Sequence, residues 1–350
     1  METKTVVLYL LLASIFFLGV SLSVYFYLRS TGQAPPPDST LTKDISVYSS
    51  VVKPTPLTCP NSNLTTDYYV AGSAYSNLPT DTVYAYVTAD AISKVIEGGA
   101  RIVEFHVYEV NKSPVVGIAD EKTKKMLTYN TSPFEDCCLA VGNSAFKVTS
   151  PFILSLVFHT EDNLVINKCA DIMKNTLRKF MLDSSYSYQR KNIALEPICN
   201  LLGKLVIVSG EHHKGNGMDE LVNLSWSSSL CRRLTYTQAA QTYDHEELIT
   251  YNRRNITIVV PDVDTTSMKN QNPEICFSYG CQWVLMNYGS PDDAMEIYTG
   301  RFVDSSFIVK PDELRYKPVK YKAPAPQNPN VSFQPKRMKS PLFDYTIGSV

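Results

Sequence analysis

Glu104 and His106 are the two side chains in this 350-residue chain whose types and spacing most plainly suit proton transfer or metal binding. They lie two apart in Ala100-Arg101-Ile102-Val103-Glu104-Phe105-His106-Val107-Tyr108-Glu109. On a strand they share one face with Ile102 and Tyr108, opposite Arg101, Val103, Phe105 and Val107. An acid and an imidazole on one face of a buried strand are costly without partners. The pair therefore marks either a satisfied buried ion pair or a site. Other reactive types offer less. His212-His213 falls in a loop, where surface placement is the default. Ser227-Ser228-Ser229 beside Trp226 does not form a G-x-S-x-G elbow. No Walker or Rossmann glycine pattern occurs.

The elements that must hold the pair can be read around it. Gly98-Gly99 ends a helix expected over Asp90 to Glu97. Tyr68-Tyr69-Val70-Ala71-Gly72 reads as a first strand. Pro151 to Phe158 is nearly continuously apolar, as expected of a strand covered on both faces. His159-Thr160-Glu161-Asp162 then opens a helix running to about Met181, with Thr160 the expected N-cap. Its stripe is Val165, Cys169, Ile172, Met173 and Leu177. Further strands are expected at Leu205 to Val208, Ile256 to Val260, Trp283 to Asn287 and Phe302 to Val309, with a helix at Asp244 to Tyr251. Strands alternating with helices indicate an α/β domain with a parallel sheet or barrel.

The ends of the chain differ from its middle. Thr5 to Leu28 holds no charged residue and is long enough to cross a bilayer as one helix, read as an uncleaved signal anchor. The expected divisions are a short tail at 1–4, the transmembrane anchor at 5–28, a Pro/Ser/Thr-rich stalk at 29–66, the folded domain at 67–316 and a Pro-rich basic tail at 317–350, extended in form. All eight cysteines follow the anchor without paired zinc spacing. So do six glycosylation sequons, at Asn63, Asn111, Asn130, Asn223, Asn255 and Asn330. An even cysteine count and several sequons favour disulfides and a lumenal or extracellular domain, or one on an envelope surface. Cys276 with Cys281 could close a short loop, and Cys137 and Cys138 would pair with different partners. A net charge of −1 gives no general attraction to nucleic acid.

Taken together, these segments resemble the X and Y halves of the phosphoinositide-specific phospholipase C family. Gly99 to Glu109 resembles that family's G-C-R-C-V-E-L-D-x-W-D strand, Ile153 to Thr160 its I-L-S-L-E-N-H-C, and Leu202-Gly203-Lys204-Leu205 its K-G-K-I. Gly280-Cys281-Gln282-Trp283-Val284-Leu285-Met286-Asn287-Tyr288 is similar to G-C-Q-M-V-A-L-N-F. It runs on through Gly300-Arg301-Phe302 to Val309-Lys310-Pro311, like G-x-F followed by V-L-K-P. The resemblance covers roughly Asp67 to Arg315. It implies a distorted (β/α)8, TIM-like barrel with its site at the C-terminal strand ends.

The family chemistry implied is phosphodiester cleavage by two histidines, with calcium and cationic side chains on the phosphorane. Position by position, little of it is kept. Ala74 stands for the first histidine, Tyr75 for the calcium-binding asparagine, and Ile118 for the second histidine. Val157 replaces an acidic ligand, Val208 a phosphate-binding lysine and Ile258 an arginine. Glu104 keeps a calcium ligand's place, while His106 replaces an aspartate. Glu104, His106 and His159, from neighbouring strands of the implied barrel, could form a three-ligand metal site. The expectation is a single-pass membrane glycoprotein with an inactive barrel and no cofactor, serving in binding, adhesion, entering cells or as a structural membrane component. Its partner would be a phosphoinositide headgroup or a protein receptor. The alternative is an active, calcium-using phosphoric diester hydrolase rebuilt around Glu104, His106 and His159.

Overall fold

The computed structural model describes residues 3–31, 38–46, 63–120, 123, 125–262, 267–318 and 335–348. Helix α1 spans Thr3–Thr31. Two short helical turns follow, α2 (Asp38–Leu41) and α3 (Lys43–Ser46). They do not behave as the extended stalk expected there. Ile45 is buried in the main core, and Thr88 Oγ1 donates to Asp38 Oδ1 at 2.8 Å. The remaining stalk positions, 32–37 and 47–62, lie outside the described residues. Among the described residues no helix is long and apolar enough to cross a membrane. Of the α1 side chains only those of 9–24 are described, and Tyr9, Leu10, Phe16, Phe17 and Leu18 among them are exposed.

The folded part opens with strands β1 (Tyr68–Val70) and β2 (Gly72–Ser73), where the sequence suggested one continuous strand. Helix α4 (Ala89–Glu97) is capped by Thr88, whose side chain accepts from Asp90 N, and Gly99 leaves it at φ +96°. Then come β3 (Ile102–Val110), the β4 (Ser113–Val116) and β5 (Ser132–Pro133) excursion, and α5 (Phe134–Ser144). Strand β6 (Phe152–Phe158) leads to α6 (Asn163–Leu177), whose N-cap is Asp162 rather than Thr160. Thr160 Oγ1 accepts from Asp162 N and donates to Glu109, so its hydroxyl serves the turn that precedes the helix. Strands β7 (Leu205–Ser209), β8 (Leu224–Ser225) and β9 (Cys231–Thr235) follow, then helices α7 (Tyr236–Ala240) and α8 (His245–Asn252). The series ends with β10 (Ile256–Val260), α9 (Glu274–Ser278), β11 (Trp283–Met286), α10 (Asp293–Arg301) and β12 (Phe307–Val309). Phe302 caps α10 and does not begin β12, so the expected strand over 302–309 is shorter.

Eight strands run parallel in the order β8-β7-β6-β3-β2-β11-β10-β9, a nearly closed barrel whose one unpaired join lies between β8 and β9. The period-two alternation divides its core. Ile102, Ile153, Val206, Val208, Ile256, Ile258 and Trp283 pack together inside the barrel. Val103, Phe105, Leu154, Leu156, Ile207 and Val259 face the helical layer. The β1–β12 antiparallel ladder lies at the N-terminal strand ends, where Val70 N donates to the Gln282 carbonyl. Residues 317–350 form a separate unit. Within it β13 (Lys336–Ser340) and β14 (Phe343–Ile347) pair as a hairpin, so this part of the tail is not simply extended.

The expected disulfides do not form at the six cysteines Cys137, Cys138, Cys169, Cys231, Cys276 and Cys281, which are buried free thiols. Cys281 Sγ accepts from the Asn252 side-chain amide at 3.5 Å instead of closing a loop to Cys276. Cys59 lies outside the described residues.

Gly72 is a tight point of the barrel wall. A Cβ there would stand 2.9 Å from Ile102 Cβ and closer still to Leu285 Cδ2. Its N–H also donates to Tyr298 Oη at 2.7 Å. Gly72→Ala should therefore lower stability by about 1–3 kcal/mol through overpacking, read as a reduced denaturant midpoint with an unchanged slope.

Candidate functional site

Strand β3 delivers Glu104 and His106 to the barrel interior, and β6 supplies Ser155 opposite Glu104 and Val157 opposite His106. Glu104 has no exposed surface. Its carboxylate is surrounded by donors. Oε1 accepts from Arg233 Nη2 at 2.8 Å and lies 3.1 Å from His106 Nε2. Oε2 accepts from Arg233 Nε at 3.1 Å and from Ser155 Oγ at 3.0 Å. Burial alone pushes this carboxyl's pKa up, but the Arg233 guanidinium and the His106 bond outweigh it and hold it well below the ordinary carboxylate range. An ionised acceptor places a proton on His106 Nε2.

The second ring nitrogen of His106 is used as well. Nδ1 lies 2.9 Å from His159 Nε2, so one proton sits between the two imidazoles. The rings of Tyr75, His106, His159 and Tyr108 form a stack, with successive centroids 4.6, 5.1 and 4.4 Å apart. Tyr75 reaches it from a left-handed backbone conformation, φ +48°, costly for a non-glycine residue. The turn is pinned by the neighbouring Ser76, whose Oγ accepts from Glu104 N at 3.1 Å.

The structure thus brings Glu104, His106 and His159 together, but in series. Carboxylate, first imidazole and second imidazole bond one to the next, and their lone pairs do not converge on one point. Among the described residues no group of three or more His, Cys, Asp or Glu side chains could hold a metal ion. The three-ligand reading thus has no converged donor set among them. Glu104 is a poor calcium ligand for a related reason. Its two oxygens already accept four hydrogen bonds, about the capacity of a carboxylate, and a guanidinium stands where a metal cation would have to approach. The residues present do not fit calcium.

The replaced positions fill the same space. Ala74, Tyr75, Ile118, Val208 and Ile258 are buried together in the barrel-interior cluster. Val157 is half-buried beside His106. Such a lining offers neither a proton carrier nor a charge to an anionic substrate. Arg233 was not singled out by sequence. It sits in Cys-Arg-Arg-Leu-Thr, where adjacent arginines hide the alternation. The one available signal was the uncompensated acid at Glu104.

The other expected sites separate by exposure. Asn223 is buried, its Oδ1 accepting from Ile207 N at 2.8 Å and its Nδ2 donating to the Tyr186 carbonyl at 3.2 Å. A glycan on that nitrogen is incompatible with this packing. Asn130 likewise accepts from Val87 N and donates to Val87 O, which ties its amide to the backbone. Asn63 donates to Tyr68 Oη and Asn255 to the Tyr251 carbonyl. Asn111 is exposed in the turn between β3 and β4. Asn330 lies outside the described residues. His213 is not at the surface as its loop suggested. It is fully buried against the Tyr188 ring, and burial pushes its pKa down.

Two family models match the chain: the X domain of phosphatidylinositol-specific phospholipase C over residues 62–211 and the Y domain over 204–313. Among curated relatives, the Bos taurus 1-phosphatidylinositol 4,5-bisphosphate phosphodiesterase zeta-1 is 34% identical over 28% of this chain and 15% of its own length. The Mus musculus inactive phospholipase C-like protein 1 is 23% identical over 45% of this chain and 14% of its own. Among solved structures, PLC21 of S. officinalis superposes with a TM-score of 0.64 at 19% identity, covering 73% of this chain and 38% of that one. The chain therefore spans well under half of these relatives, and the structural likeness concerns the fold.

Removing one partner of a buried ion pair leaves the other uncompensated. Arg233→Met should lower stability by about 3–5 kcal/mol, and Glu104→Leu combined with Arg233→Met by less than Arg233→Met alone in chemical denaturation. The Glu104 pKa lies below its unfolded value, so its contribution is complete above about pH 4.3 and is lost as pH falls through the folded value. Glu104→Gln should accordingly flatten the acid limb of a stability–pH curve.

Proposed function

The chain belongs to the phosphatidylinositol-specific phospholipase C family, and from that premise we propose that it is a non-catalytic, membrane-anchored member whose barrel serves as a binding module. The observation that carries this reading is the bidentate Arg233–Glu104 pair, a fixed side-chain cation against the one acidic position retained from the family pattern. Cleavage of a phosphodiester needs proton carriers at the attacking and leaving oxygens and positive charge on the phosphoryl group. Ala74, Ile118, Val208 and Ile258 supply none of these. His106 and His159 are bonded to each other, and Arg233 is neutralised by Glu104. The inactive mouse relative fits the same reading. The apolar lining also weighs against an inositol phosphate at the barrel top and in favour of a protein or lipid surface as partner.

Among the described residues no helix meets the length and apolarity of a membrane span, so the anchor reading rests on the sequence of α1. Its 29 residues extend about 43 Å at 1.5 Å per residue, and the 24 from Thr5 to Leu28 are without charge. The six buried thiols and the buried Asn223 amide support a folded part on the cytoplasmic side of the membrane, where thiols stay reduced, rather than the lumenal side.

Phosphatidylinositol hydrolysis by the purified chain should remain at background with and without calcium; turnover that Glu104→Ala abolishes would overturn the non-catalytic reading. For orientation, the expected result is a mass unchanged by glycosidase and a folded part cut by external protease only after cells are permeabilised. A glycosidase-sensitive mass together with cleavage on intact cells would place it outside.

A further inference from the structure

The hairpin formed by β13 and β14 has an apolar face left exposed among the described residues. Its register pairs Met338 with Tyr345 and Ser340 with Phe343. Met338, Phe343, Tyr345 and Ile347 therefore share one side with Lys336 and Ser340 at its two ends, and Arg337, Lys339, Asp344 and Thr346 share the other. The four apolar side chains are each about half exposed, from 46% to 51%, and Leu342 at the turn is 93% exposed. Phe343 and Tyr345 pack ring to ring at 5.4 Å, so the face is continuous. A two-stranded hairpin alone is at best marginally stable in water. An apolar side of this kind asks for a covering surface.

Charge selects among the occupants. Strand β13 reads Lys-Arg-Met-Lys-Ser, and basic edge strands resist pairing with further strands. Against a second copy the same charges would repel. From Lys317 to Val350 the chain has six basic residues and one acidic, Asp344, which Arg337 engages bidentately. An aromatic, apolar face in a basic surround is the pattern of elements that lie in the interface of an anionic bilayer.

We propose that residues 336–347 lie on anionic lipid, with Met338, Leu342, Phe343, Tyr345 and Ile347 at the acyl boundary and Lys336, Arg337 and Lys339 near the headgroups. The inference rests on the reading of α1 as an anchor and goes beyond it by giving the tail a lipid preference.

The test uses the full chain reconstituted in phosphatidylcholine vesicles with and without phosphatidylserine, and in detergent micelles. Tryptic cleavage after Lys336, Arg337 and Lys339 is followed by mass spectrometry. Phosphatidylserine should slow these cleavages on the order of tenfold or more, and high salt should reverse much of the protection. Phe343→Ser with Tyr345→Ser should restore cleavage in the anionic vesicles while leaving barrel unfolding unchanged. Equal cleavage in both vesicle types overturns the proposal. Equal protection in micelles overturns it too, because protein then covers the face. Failure of the anchor reads out separately: a chain that does not float with neutral vesicles at high salt lacks an inserted α1, whereas one that floats but is cut equally in both lacks only the lipid-bound hairpin.

Discussion

A carboxylate without exposed surface must be answered by positive charge or by a proton, and the interior of this barrel is arranged around that requirement at Glu104. The desolvation cost of an isolated ion there amounts to several kcal/mol. Arg233 meets it with two nitrogens, and Ser155 and His106 complete the set. The pair also has a mechanical side. Arg233 belongs to β9, the strand at the unpaired join, and Glu104 belongs to β3 across the interior. A bidentate contact between them ties the free side of the ring to its middle where no backbone ladder does so.

The same contact accounts for what surrounds it. With Glu104 neutralised internally, neighbouring interior positions are relieved of any electrostatic duty, and hydrocarbon can occupy them. Ala74, Ile118, Val208 and Ile258 do so. The remaining polar groups are drawn into one chain from Arg233 through Glu104 and His106 to His159. Linked from one side chain to the next, this chain braces the barrel top.

Much of this scaffold was legible in the residue order. Gly98-Gly99 and the alternation after it fixed β3 and the side on which Glu104 and His106 lie, and the apolar runs at Phe152, Leu205 and Ile256 located buried strands. What escaped did so for physical reasons. Strand β9 carries two arginines in five residues, so its pattern resembles surface, and the acid that draws Arg233 inward is 129 positions earlier. Thr160 looked like a cap because capping residues are judged by local sequence, whereas the helix starts only after Asp162, whose N–H the Thr160 hydroxyl accepts while donating to Glu109. The cysteines and Asn223 misled in a similar way. Their types suggest oxidation and glycosylation, but pairing depends on which thiols meet and glycosylation on an accessible amide, and only the assembled barrel decides both.

One consequence of the Arg233 arrangement concerns supply. A dissolved ion comes and goes with its concentration, and a domain organised around one inherits that variability. A guanidinium built into the polypeptide arrives at one per molecule with translation itself. The barrel top is then in its finished state from the moment it folds, indifferent to mineral transients in its surroundings.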